Sequence, residues 1–492
     1  MYACFSDKEW RTMAATTLVA VVAMSLLAVV RLGLPTGGRL SLGLVVALCV
    51  PLTLYRSRTW SSVTGAYLLL ALWVLLATLS VNNIYEWLSP AGATPDMPAL
   101  YGDDRSYYRW ALHYYDGRVD VPHVAFPGLP VMILLSWKLL GVNVVWPVTM
   151  NVTFTLTAIV ITSITAVRLL GKREIAPSET TIGTLTLLGC ALLTFMLSHG
   201  AAVLKEAAVT LSMSVVGAVL AVFVDNRHLE ARHYMAFAIA CVMLAFIRTT
   251  YMYLVMLALI VVALGNVKSR VPHVALLLAI TVATFVVGDS VAYYSFERHA
   301  LIISGGERMQ SLFIVGESQQ PYLNLIGNYF HYPIWKRLVL LPLTTAVQYI
   351  IPFPWSYGRT LLFGEILARC SYGWYMVGGL AMFYYLFLSW RERYSLGAWA
   401  WVAPTLFAAV AYISAGSVSR YVVPIQAMFV PVALWALCVA RADSKVKRLM
   451  LWWAVVYAVV MVVTLVTCYQ IQVNYLRSLN EYYRSLRELQ SN

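Results

Sequence analysis

Charge is what this chain has least of: of 492 residues only 12% are Asp, Glu, Lys or Arg, while 61% are hydrophobic. A soluble domain is charged at about a quarter of its positions, so lipid must replace water around most of this protein. No Walker A loop, Gly-rich dinucleotide loop or His-Glu-x-x-His pattern is present. Nucleotide-driven transport and zinc-dependent proteolysis of that type therefore lack a motif. The seven cysteines have no metal-ligand spacing and suggest no disulfide framework; most lie inside apolar runs and read as packing residues. There is no internal repeat and no low-complexity tract. The lack of a paired set of interrupted helices counts against a transporter.

What is there is a succession of apolar runs of bilayer length from Thr12 to Thr467. The net charge of +13 is not a nucleic-acid footprint, because Lys and Arg sit in short clusters between those runs. Arg56/Arg58, Arg168/Lys172/Arg173, Arg227/Arg232, Lys268/Arg270, Arg391/Arg393 and Arg441/Lys445/Lys447/Arg448 give the positive-inside signature of cytoplasmic loops. The first run, Thr12 to Pro35, is too long for a signal-peptide core and reads as a retained helix.

The expected fold class is an all-α polytopic membrane protein, residues 1–469 forming one transmembrane domain with about thirteen spans. Spans are expected near 12–34, 40–55, 62–82, 144–167, 181–199, 207–225, 233–248, 251–266, 272–292, 372–390, 396–414, 422–441 and 449–469. Ala125 to Leu140 and Leu338 to Phe353 are expected to be re-entrant or juxtamembrane, since counting either as a crossing strands basic loops on the wrong face. Phe126-Pro-Gly-Leu-Pro130 breaks any helix there at its start. Two outer regions result, 83–143 and 293–371. The tail, 470–492, has Tyr475, Leu479, Tyr482, Leu486 and Leu489 at helical spacing and reads as an amphipathic surface helix.

Functional candidates concentrate where charge meets these spans. Asp103 and Asp104 lie in the first outer loop, followed by Tyr107 and Ala111. In a helix Asp103, Tyr107 and Ala111 share a face while Asp104 points about 100° away; the alternative is that Asp103 merely caps the helix start. Lys205-Glu206 falls at an outer turn, where it forms either a local ion pair or part of a site. Arg248 ends an outward span, snorkelling or functional. Arg420-Tyr421 precedes Pro424, and Arg suits an oxyanion through its fork of donors. The second loop adds Arg298, His299, Glu307, Arg308, His331, Lys336 and Arg337, then Arg359 and Glu365; loop charges are usually just solvated, and Arg308 and His331 are kept as binding candidates. His113 and His123 near the acids match no metal spacing.

The order Asp103-Asp104-x-x-Tyr107-x-x-x-Ala111, then Asp116-Gly117, Phe126-Pro-Gly-Leu-Pro130 and Trp137-x-Leu-Leu-Gly141 resembles the opening of GT-C glycosyltransferases. That superfamily includes the protein O-mannosyltransferases and the lipid A aminoarabinose transferases. The resemblance runs from Tyr101 to Arg173, with Asp104 standing where Glu is common and two extra spans ahead of the acidic loop. It implies an inverting transfer of a sugar from a polyprenyl-phosphate donor to a glycan, lipid or protein acceptor. The expected place is the outer face of a bacterial cytoplasmic membrane. It implies Asp103 as the base, with Asp104 as its partner or as an acid touching a divalent cation; no cofactor is otherwise called for. Tyr107, Lys205, Glu206, Arg248, Arg420, Tyr421, Arg308 and His331 are the substrate-binding candidates. Two other functions compete: a polysaccharide polymerase or ligase acting on undecaprenyl-pyrophosphate-linked oligosaccharides, and a lipid or polysaccharide flippase with Lys205, Glu206, Arg248 and Asp289 along its path.

Overall fold

The computed structural model describes residues 7–57, 62–88, 103–117, 128–225, 229–265, 271–296, 329, 332–350, 372–414 and 421–491. Among them there is no β-strand, and nine helices are long and apolar enough to cross a membrane. The protein is a multi-pass integral membrane protein.

The chain opens with an antiparallel hairpin of α1 (Asp7–Leu32) and α2 (Leu34–Arg56). Gly33 turns it at φ 78°, a left-handed conformation open to glycine at little cost. A Cβ on Gly37 would stand 2.5 Å from the Ala28 carbonyl oxygen, so the two backbones touch there. α3 (Val63–Leu88) follows, then α4 (Asp103–Tyr115) and α5 (Gly128–Leu140). The long α6 (Val145–Leu170) packs on α2 at Gly43, where Thr149 fills the space a side chain would need.

α7 (Glu179–Ala191) and α8 (Thr194–Gly200) occupy the expected 181–199 span, which is broken at Leu192 and Leu193. Neither proline nor glycine stands at the break. Another helix packs tightly there: Gly373 lies so close that a Cβ would meet the Leu192 carbonyl oxygen at 1.8 Å. α9 (Glu206–Val224), α10 (Ala231–Arg248), α11 (Thr250–Gly265) and α12 (Val271–Phe296) come next. α13 (Ile334–Ile350) is followed by α14 (Tyr372–Phe383), which runs on into a π-helical turn, Tyr384–Leu388. α15 (Trp399–Ser414), α16 (Val423–Ala442) and α17 (Ser444–Ser491) complete the chain. At the expected spans that fall short of the length criterion stand α7 with α8, α11, α14 and α15.

α16 is the centre, with 94% of its apolar stretch buried among its neighbours. α17 lies at the edge with most of its span exposed, which suits a helix solvated by hydrocarbon. The amphipathic tail is no separate element: it continues the last span as one 48-residue helix, about 72 Å long at 1.5 Å per residue.

The basic loops converge at one end of the bundle. Lys172 Nζ stands 3.1 Å from Asp225, at the end of α9. Arg173 donates to the Ser395 carbonyl at 2.9 Å and lies over Trp435. Tyr394 Oη donates to Asp443 Oδ2, which Arg393 approaches to 3.8 Å. The start of α9 is therefore a full span away, about 28 Å for its 19 residues.

Candidate functional site

That far end is organised by the non-helical segment 201–205 between α8 and α9. Gly200 abuts α6 so closely that a Cβ would stand 2.2 Å from Thr155 Oγ1. Asn151, wholly buried on α6, donates its Nδ2 to the carbonyls of Ala202 at 2.5 Å and Leu204 at 2.9 Å. Asn83 of α3 reaches the Ala201 carbonyl at 3.4 Å. Backbone carbonyls away from water need such donors, and these two amides fix where Lys205 and Glu206 begin α9.

Glu206 reaches across to a neighbouring span. Its Oε1 lies 3.3 Å from Arg248 Nη1 of α10, with side-chain exposures of 1% and 6%. Arg248 is thus buried rather than snorkelling. Its guanidinium carbon stands 3.8 Å above the Tyr421 ring and 5.5 Å from that of Tyr251. Tyr251 donates its hydroxyl to the Tyr421 carbonyl at 2.5 Å, which ties the start of α11 to the turn before α16. Lys205, 6% exposed, places Nζ 5.5 Å from the ring of Tyr107 on α4. A buried guanidinium lying against aromatic rings has given up most of its hydration.

α4 carries the acids over this cluster. Its buried Tyr108 meets Trp137 of α5 edge to face at 4.9 Å, and Tyr115 meets the same indole at 6.4 Å. Lys138 covers the other side of Tyr115 at 4.5 Å. α5 in turn rests on α10: a Cβ on Gly128 would lie 2.7 Å from the Phe246 carbonyl group. Phe246 is two residues from Arg248, so α4 and α5 are seated on the helix end that holds the guanidinium. Asp103 opens α4, and Asp104 beside it is half-buried.

Five of the residues singled out from sequence therefore meet: Tyr107, Lys205, Glu206, Arg248 and Tyr421. The side chain of Asp103, and Arg420, Arg308 and His331, lie outside the described residues. Sequence reading missed Asn83, Asn151 and Tyr251. The asparagines had a readable signal, since an amide inside an apolar span needs a hydrogen-bonding partner. Among the described residues no group of three His, Cys, Asp or Glu is placed to hold a metal ion. His113, on the last turn of α4, and Asp116, just beyond it, form no such group.

The arrangement can hold an oxyanion. Guanidinium has five N–H donors, and the contact with Glu206 engages one edge of Arg248. Tyrosine faces beside cations also suit the C–H faces of a sugar ring. No family model matches the chain, and neither a curated protein nor a solved structure does.

Proposed function

We propose that the protein is a membrane glycosyltransferase of GT-C type, with thirteen crossings once α7 with α8, α11, α14 and α15 are counted. The supporting observation is the meeting of Tyr107, Lys205, Glu206, Arg248 and Tyr421 beneath the helix that begins with Asp103 and Asp104. Such buried charge at a span's end is a functional site by default. In this reading the far end is the outer face of a bacterial cytoplasmic membrane. A polyprenyl-phosphate sugar enters from the lipid, and an acceptor hydroxyl or amine of an envelope glycan, lipid or protein approaches under α4.

Asp103 takes the acceptor's proton as its oxygen or nitrogen attacks the anomeric carbon. The bond from that carbon to the phosphate oxygen breaks, and the polyprenyl phosphate leaves with the electron pair, inverting the sugar. A positioned carboxylate base contributes about 10²–10⁴-fold. Asp104 orients Asp103, Lys205 and Arg420 balance charge on the donor phosphate, and Tyr107 and Tyr421 contact the sugar. Glu206 keeps Arg248 in place.

Protein reconstituted in lipid and given a radiolabelled polyprenyl-phosphate sugar tests the reading. Release of labelled product by wild type, with about 10²-fold or greater loss in Asp103→Asn, is the expected result. Full turnover in both Asp103→Asn and Asp104→Asn would overturn the assignment. Extension of pyrophosphate-linked oligosaccharides with no use of monophosphate donors would replace it with a polymerase. Lipid flipping with no glycosidic product would replace it with a flippase.

A further inference from the structure

The basic end of the bundle holds a groove that the transfer chemistry does not use. A cavity of about 510 Å³ lies between the last turns of α11 and the start of α15. Val261, Leu264 and Gly265 line one side; Ser395, Trp401 and Thr405 line the other. A Cβ on Gly265 would stand 2.5 Å from the Ala398 Cβ, so the two helices touch there. Val261 and Thr405 lie one turn further into the span than Gly265 and Trp401. Leu264 is 74% exposed and Trp401 45%, so the groove opens sideways, on the flank where α11 also exposes Ile260.

The α15 wall is pinned from behind. Arg173 donates to the Ser395 carbonyl at 2.9 Å. The Leu396 N–H donates to Tyr384 Oη at 2.9 Å, and Tyr385 donates its hydroxyl to the Ala400 carbonyl at 2.7 Å. Gly397, left-handed at φ 65°, turns its N–H to Ser395 Oγ at 3.0 Å. Both tyrosines belong to the π-helical turn that ends α14, and the Tyr385 ring lies 6.1 Å from that of Trp401. Single π turns inside helices are most often found at functional sites; this one brings two consecutive hydroxyls onto the start of α15. The groove is thus a fixed shape and not a gap left by loose packing.

What can enter follows from where the groove opens. Apart from Ser395 and Thr405 its lining carries no polar side chain able to bond a ligand except the Trp401 indole, so the entering part is a hydrocarbon. A partner's transmembrane helix needs 8–10 Å between axes and cannot lie between two helices that already touch; a methylene chain can. Charge at the mouth selects what that chain carries. Within five positions of Ser395 or Gly265 the sequence has Arg391, Arg393, Lys268 and Arg270 against one acid, Glu392. Arg391 is exposed, and Arg393, 70% exposed, keeps only a long contact of 3.8 Å with Asp443. Trp401 beside these cations is the kind of side chain that marks a membrane–water interface. A basic surface at an interhelical groove on this side of a membrane attracts anionic headgroups.

We propose that this groove binds an anionic glycerophospholipid of the phosphatidylglycerol class, one acyl chain between α11 and α15 against Trp401 and Thr405, its phosphate beside Arg391 and Arg393. The arginines that mark the topology of this end also select the lipid that meets it. The site is independent of the transferase reading, because it lies at the opposite end of the bundle from Lys205 and Arg248.

Native mass spectrometry of the full-length protein in detergent reads the headgroup, with phosphatidylglycerol and phosphatidylcholine of identical chains as competing probes. Wild type is expected to retain phosphatidylglycerol over phosphatidylcholine by about tenfold or more, the scale of two arginines beside an anionic headgroup. Arg391→Gln with Arg393→Gln removes the preference, and Lys at both positions keeps most of it. Thr405→Trp fills the groove from its wall and lowers retention of both lipids. Fluorescence reads the place: phosphatidylglycerol brominated on its chains, at low fraction in detergent, quenches tryptophan emission, and that quenching is expected to shrink in Trp401→Phe. This second measurement decides the matter even if thermal unfolding shows Thr405→Trp to be damaged. No headgroup preference, or a preference that survives loss of both arginines, overturns the site. So does quenching unchanged by Trp401→Phe, or matched by brominated phosphatidylcholine at the same fraction.

Discussion

At the basic end Lys172 pairs with Asp225, and Arg393 with Asp443, with the cations 55% and 70% exposed; at the far end Arg248 and Glu206 pair at 6% and 1%. Each of the three sets a cation against a carboxylate. Water screens the first two, so they cost little to form and hold little. The third has given up its hydration, and attraction within the pair must offset that loss. Glu206 and Arg248 come from different spans and fix how α9 and α10 meet. A charge at the basic end thus reports on topology, and a charge at the far end reports on a site.

The contrast is broken most directly by unpairing each end in turn. Glu206→Ala leaves a buried guanidinium without its counter-ion and is expected to cost about 3–5 kcal/mol. Asp225→Ala is expected to cost at most about 1 kcal/mol. Unfolding of both variants in the same micelles compares them, and equal losses would erase the distinction. Replacing both members of the buried pair, Glu206→Leu with Arg248→Met, is expected to recover most of the stability. A middle effect tests whether the far end depends on amides as well as charges. Asn151→Leu strips donors from two carbonyls and is expected to cost about 1–3 kcal/mol, with faster hydrogen exchange in 201–206.

The smallest effect belongs to Asp443. The Lys445 backbone N–H, then that of Val446 and the Tyr394 hydroxyl, hold its carboxyl below the ordinary value of 3.8. A lowered value means the ionised form is favoured by folding. The added stability is therefore full above pH 3.8 and is lost as the pH falls through the lowered value. Hydrogen exchange at the start of α17 is expected to quicken only in that acid window, and in Asp443→Asn at every pH.

The helical class, and helices at the span positions, followed from apolar runs and basic loops because bilayer thickness dictates both. The site was half legible: an ionisable residue in an apolar run stands out, so Lys205, Glu206, Arg248 and Tyr421 could be picked without coordinates. Their partners could not. Lys205-Glu206 left a local ion pair and a site role both open, and that the carboxylate reaches Arg248, 42 residues away, is set only by tertiary packing. The break at Leu192 was equally hidden; the backbone packed against it belongs to Gly373, on a helix about 180 residues downstream.

Gly128 carries a mechanical consequence. Where most helices meet through a layer of side chains, which can shift rotamers and absorb a push, here backbone rests on backbone at Phe246. A joint of that kind has no play. Any lift or tilt of α5, and of α4 riding on it, is handed directly to the last turn of α10. The acid-bearing helix and the guanidinium then move as one part.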